Sequence, residues 1–382
     1  MEKNKKLGAF LAFIISFISF LGLCIGAVVL VDPYFHYHSP ISAFSYYLNN
    51  QRYQNDGIIK HFDYDAMITG SSMTENFKTS ELDTLFLTHS IKVPYSGGTY
   101  REIDESIQLA IKRNKKLKVV IRGLDLYMLF SEPNSYRTDL GTYPTYLYDD
   151  NIFNDYSYIF DTNIFYKNTL DAIYSALSGG KPSVTSFDEY CAWHQYFTFG
   201  KNTVLQDETI LPVEFGEQPD ISEELADTVR ENVRKNITST AIRNPNIDYY
   251  YFFTPYSAYY WYTVVSTKTF NIYCDAERIA IEEILNTTNI KLLSFNDCFD
   301  FTTDLNFYKD YIHYGKWINS FILECMKNGK HRITLNNYGN YLNSFYSFYE
   351  NYDFTKIYDY DDYEDDNLAE ERLEQLIEEG KI

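Results

Sequence analysis

The sequence predicts an α/β domain on a doubly wound parallel sheet, tethered by one N-terminal membrane helix. Three observations carry that expectation. An uncharged stretch runs from Leu7 to Val31 behind Lys3, Lys5 and Lys6. Short apolar runs then alternate with helix-like segments, a βαβαβ order that implies parallel strands. After a long irregular middle region the same alternation returns near residue 249.

The N-terminal stretch comes first. Its 25 residues would span about 37 Å as a helix, enough for a tilted membrane crossing. A cleaved signal has a shorter apolar region and a small-residue site. VVLVDP follows here, so an uncleaved anchor is expected over residues 7–31, held in the lipid bilayer. Leu23 before Cys24 argues against a lipoprotein. The lysines place residues 1–6 in the cytoplasm and everything from Asp32 outside, a single-pass cell-membrane protein with an extracytoplasmic C-terminal domain. Residues 32–60 read as a polar, aromatic stalk, with His36 and His38 of YFHYH as interfacial residues.

The α/β domain is expected over residues 61–357. Its strands are Ala66–Thr69, Ile91–Tyr95 and Lys118–Arg122, the last (KVVIR) the clearest. A short helix over Ser80–Phe86 follows the first strand. Ile103, Ile107, Ala110 and Ile111 recur at helical spacing after the second. Residues 130–240 are Tyr- and Asn-rich and read as an insertion over one end of the sheet. Within it a helix is expected over Asn163–Leu177. A second is capped by Ser222, with Glu223 and Glu224 in its first turn. Tyr249–Phe253 and Ile290–Phe295 are the fourth and fifth strands, with a helix over Asp275–Leu285 between them. The last helix turns Trp317, Ile318, Phe321, Ile322 and Cys325 inward.

Composition narrows the function classes. Hydrophobic residues make up 45% of the chain, enough for a sizeable core. The net charge of −20 excludes a nucleic-acid partner, which needs clustered Lys and Arg. The tail, residues 358–382, carries eleven acidic and two basic residues and reads as flexible, with a short helix near Leu368, Leu373, Leu376 and Ile377. Cys191, Cys274, Cys298 and Cys325 could form disulfides outside the cell, but their spacing shows no framework. No CxxC or His-rich cluster suggests a metal.

Two stretches carry chemistry. ITGSSMTENF places Ser72 just past the first strand, where open α/β sheets bind ligands. The same residues, Ser72-Met73-Thr74-Glu75, fit a helix capping box. KDYIHYGKWIN places Asp310 three residues before His313, in a loop ahead of the last helix. A nucleophilic serine needs a base, and the base needs an acid to fix its tautomer. Read blandly, that pair is an Asp cap beside a solvent-facing His.

G-x-S after strand one, Gly-Gly after strand two and D-x-x-H before the last helix together resemble the SGNH/GDSL hydrolase superfamily. The resemblance covers about Asp65 to Lys327 without the insertion. It implies a flavodoxin-like sheet, the SGNH hydrolase fold. It makes Ser72 the nucleophile, His313 the general base and Asp310 its orienting acid. The backbone of Ser72 and of Gly98 or Gly97 would form the oxyanion hole. Gly70 matches the first block. The chain departs from the pattern twice: Ser71 replaces the family's Asp, and Arg122-Gly123-Leu124-Asp125 lacks the third-block Asn. Asn76 and Arg122 are the candidate replacement donors.

The GSS block on an anchored domain is loosely similar to the envelope-associated branch, which includes proteins of D-alanyl-lipoteichoic acid biosynthesis and polysaccharide O-acetylation. The resemblance implies a serine esterase or O-acyltransferase acting on a cell-envelope glycan or acyl ester. No cofactor is implied, and a membrane acyltransferase is a candidate partner. The missing Asn supports an alternative, an inactive SGNH-like module that binds a glycan or a membrane protein.

Overall fold

A computed structural model describes residues 2–139, 142–206, 208–287, 289–363 and 366–382. It forms two compact units, Met1–Phe62 with Thr142–Ser186, and Asp63–Gly141 with Phe187–Ile382. The region expected as one insertion is therefore divided between them.

In the first unit, α1 (Glu2–Val31) is long and apolar enough over Lys5–Val31 to cross a membrane. Its end is fixed by Asp32, which is fully buried at a φ of 46°. The Asp32 carboxylate accepts from the backbone N–H groups of His36, Tyr37 and His38 at 2.9, 2.7 and 2.9 Å, and from the Tyr158 hydroxyl at 2.7 Å. One carboxylate thus folds YFHYH back against the helix. His36 meets Asp155 at 3.1 Å, and His38 meets the Val29 carbonyl at 3.0 Å. With α2 (Gln51–His61) burying Ile58 and Ile59, residues 32–60 fold as turns and a helix rather than an open stalk. Val28, Tyr34, Leu147, Tyr158 and Ile164 form a core of this unit.

The second unit holds a five-stranded, all-parallel sheet in the order 2-1-3-4-5. Its strands are β1 (Ala66–Gly70), β2 (Ser90–Pro94), β3 (Val119–Leu124), β4 (Asp248–Phe253) and β5 (Ile290–Ser294). β1–β3 and β5 are fully or almost fully buried, because helices cover both faces. Its helices include α3 (Thr79–Phe86), α4 (Tyr100–Arg113), α5 (Glu223–Val233), α6 (Phe270–Leu285), α7 (Lys316–Asn328), α8 (Tyr338–Asn351) and α9 (Asp366–Glu378). Strand alternation sorts the faces. Tyr250 and Phe252 meet Phe86 and Phe77 beside α3. Tyr251 faces the other way, toward Arg122. Arg122 in turn reaches Tyr100 on α4 and Asn236 just past α5. Ser222 caps α5 as expected, accepting from Leu225 N–H at 3.3 Å.

Strand order reverses at β1, with β2 on one side and β3 on the other, which opens a crevice at the carboxyl end of β1. The acidic tail, expected to be flexible, is held at several points among the described residues. Ala369, Leu373 and Leu376 of α9 are buried, and the Tyr363 hydroxyl donates to Asp304 at 2.8 Å.

A buried carboxyl ties α6 to α8. Glu277 is inaccessible; it accepts from the Tyr341 hydroxyl at 2.6 Å and from the Asn296 amide at 3.3 Å. Burial pushes its pKa up to about 7. The folded state therefore keeps this proton to higher pH than the unfolded chain does, and the stabilisation is full below about pH 4. It fades as pH rises through about 7. Relative to Glu277→Gln, the wild type should lose on the order of 3 kcal/mol of unfolding free energy across that window. Denaturant titrations giving parallel pH curves for the two proteins would contradict it.

Candidate active site

The first question is which serine caps the turn after β1. Ser71 does. Its hydroxyl accepts from Met73 N–H at 3.2 Å, and its carbonyl accepts from Thr74. A 3-10 turn, Ser72–Thr74, follows directly. The Ser72 hydroxyl is thereby released from capping and points to His313, with Oγ 2.8 Å from Nε2. Gly70 makes the approach possible. It sits at a φ of 148°, and a Cβ there would come within 2.6 Å of Thr74 Cγ2 and 3.1 Å of Gly123 N.

His313 rides on a loop closed by Lys309 N–H to His313 O at 2.9 Å and by a bridge between Tyr308 and Tyr314. Asp310 organises the loop from inside. One carboxylate oxygen accepts from the N–H groups of Ile312 and His313 at 3.0 and 2.8 Å. The same carboxylate meets His313 Nδ1 at 2.9 and 2.8 Å through its two oxygens. Capping and base orientation are therefore one interaction rather than alternatives. Burial alone would raise the Asp310 pKa. The hydrogen bond and charge of His313, together with Lys309 at 2.7 Å, outweigh it and hold the carboxyl well below the usual range.

Two of the sequence-derived oxyanion donors need correction, Gly98 and Arg122. Gly98 is occupied: its N–H closes a turn on the Tyr95 carbonyl at 2.7 Å. Gly97, at a φ of 55°, occupies the turn's left-handed position, and its N–H makes no hydrogen bond among the described residues. Ser72 N–H is likewise unengaged there. Arg122 is fully buried and donates to the carbonyls of Asn236 at 2.7 Å and Tyr100 at 3.2 Å, away from the crevice, because strand alternation turns it to the α4 face. Asn76 points its oxygen at Trp193 and His194 N–H, at 3.0 and 3.1 Å, and so organises a neighbouring loop.

That loop supplies residues the sequence reading missed. The Trp193 indole N–H donates to the Ser72 carbonyl at 3.3 Å, and its ring meets the His313 ring edge-on at 5.5 Å. Lys309 lies over Trp193 at 4.9 Å and Phe197 at 4.4 Å. Arg137 covers Gly97: it donates to the Ser96 carbonyl at 2.8 Å and pairs with Asp139 at 2.6 and 2.9 Å. Beneath the site, Asp125 at the end of β3 accepts from Thr254 at 3.1 Å and Tyr256 at 2.8 Å. Burial raises its pKa, while the nearby His313 charge acts in the opposite sense. The only sequence signal for these residues is Asp125, which follows the third strand; Trp193 and Arg137 come from loops without a pattern.

Comparison of this chain with protein-family models, with curated proteins and with solved structures finds no match. The chemistry is therefore argued from the geometry itself. One mixed donor cluster could hold a metal: Asp297, Cys298 and His331 bring ligand atoms within 4.8 Å of one another. Cys298 Sγ and His331 Nδ1 lie 3.6 Å apart, also the spacing of a thiol–imidazole hydrogen bond. Burial pushes the Cys298 pKa well up, which favours that protonated form. No disulfide joins the cysteines.

The division of labour between the two serines is testable. Ser71→Ala should cost about 1 kcal/mol of stability, the usual value of a lost cap, and Ser72→Ala much less. Thermal unfolding in detergent with equal losses for both variants would contradict the assignment.

Proposed function

We propose that the protein is a membrane-anchored, extracytoplasmic serine esterase or O-acyltransferase of the SGNH type. The observation that carries this reading is the continuous chain from Asp310 through His313 to Ser72, with contacts of 2.8 Å at each junction. Three side chains from two distant segments meet at the crevice of a parallel sheet whose order matches the flavodoxin-like arrangement. The GSS, Gly-Gly and D-x-x-H blocks, in that chain order, are the sequence resemblance that supports the SGNH reading.

In the proposed cycle, His313 Nε2 takes the Ser72 proton as Oγ attacks an ester carbonyl. The imidazolium that forms is steadied by Asp310 and by the Asp125 carboxyl beneath it. The N–H groups of Ser72 and Gly97 receive the developing oxyanion. His313 then gives its proton to the departing alkoxide, leaving an acyl group on Ser72. Water, or the hydroxyl of a cell-envelope glycan, is deprotonated by His313 and takes the acyl group, which restores the serine. The placement outside the membrane rests on Lys3, Lys5 and Lys6 ahead of the apolar helix.

A second reading, an inactive module that binds a glycan or membrane protein, draws on one observation. Leu124, which is buried, stands in place of the family's third-block Asn, so that amide donor is missing. Losing one such donor lowers rate by about 10²–10³, so slow turnover is the expected phenotype. Hydrolysis of p-nitrophenyl acetate should be measurable for the wild type. It should fall to background in Ser72→Ala and drop by about 10⁴ in Asp310→Asn. Wild-type activity that survives Ser72→Ala would remove the esterase reading. A wild type inert toward both water and added glycerol as acceptors would favour the binding module.

A further inference from the structure

The first unit carries an apolar surface that its own core does not use. Between Ile152 and Leu177, eight large side chains are exposed: Ile152, Phe153, Tyr156, Phe160, Tyr166, Leu170, Tyr174 and Leu177. Phe153 is 87% exposed, Leu177 84% and Tyr174 74%. Soluble surfaces rarely gather so many large apolar groups in one short segment.

Their arrangement is ordered. Residues Ile164–Thr169 and Leu170–Leu177 form one helical run, the first part a π-helix. Tyr166, Leu170, Tyr174 and Leu177 recur along it at spacings of four, four and three residues, which puts them along one side. Ile164, Thr169 and Ala172 of the same run are buried. Ile164 joins the cluster that contains Val28, close to the end of α1 at Val31. This helix therefore packs one side against the segment where the apolar span ends and leaves its other, apolar side open.

We propose that residues 152–177 form a second membrane contact, lying in the headgroup–acyl boundary of the leaflet from which α1 emerges. Continuity with α1 selects lipid as the occupant. The segment shares a core with the last turns of a helix most of whose earlier side chains, from Leu7 to Leu23, are exposed and apolar. Tyr and Phe suit that depth, with apolar rings inward and, for Tyr, a hydroxyl at the headgroups. The nearby charges are mixed: Lys167 and Lys181 are exposed, but so is Asp171. The attraction is thus apolar, and anionic lipid is not required.

The test uses the full-length chain in nanodiscs of plain phosphatidylcholine or of phosphatidylcholine brominated on its acyl chains. Tyr174→Trp adds one indole to the native Trp193, Trp261 and Trp317, whose signal is subtracted with the wild type in the same lipid. The indole at 174 should lose roughly half of its emission in brominated lipid, as expected for a group at the acyl boundary. Equal emission at 174 in the two lipids would overturn the proposal and leave the face to a protein partner or to water.

Discussion

The Asp310 carboxylate is the interaction on which the site depends. It closes the loop by accepting the N–H groups of Ile312 and His313, and it fixes the imidazole through Nδ1. A loop this short has few other ways to hold a ring at a set angle. Because one group does both, base orientation is not a separate device that could drift while the fold stays intact. His313 itself and, after it, Lys309 at 2.7 Å hold this carboxyl below its usual range against burial, so the imidazole faces a carboxylate on its Nδ1 side.

The sheet supplies the second constraint. With β1 flanked by β2 and β3, chain direction diverges at its carboxyl end, and Ser72 lies at the crevice this opens. The turn that follows is satisfied by Ser71, and so the neighbouring hydroxyl is left for chemistry. The Trp193 segment, held by Asn76, then walls the imidazole on one side. An apolar wall of this kind lowers the local dielectric and strengthens the polar contacts it encloses.

Much of this was legible in the chain. The strands fell within a residue or two of their expected limits, because buried parallel strands are short apolar runs bounded by polar turns. Ser72 and the D-x-x-H pair were readable because a base and its acid one turn apart need only local geometry. The choice between Gly97 and Gly98 was not, since it depends on which N–H the turn itself consumes. Arg122 was misjudged for a related reason: composition names a donor, but only strand phase and long-range packing say where it points. The tail and the 142–186 segment show the same limit. They read as a solvated tail with a short helix and as loop leading into a helix, and the burial of Leu373, Leu376, Tyr158 and Ile164 was not readable from either.

The central claim is that the Ser72 hydroxyl is activated by His313 and by nothing else. Intact-mass and peptide-mapping mass spectrometry after exposure to a fluorophosphonate tests it most directly. The account predicts a single adduct, on Ser72, that forms at least about a thousandfold more slowly in His313→Ala. An adduct on another residue, or equal labelling of Ser72 in the two proteins, would contradict it.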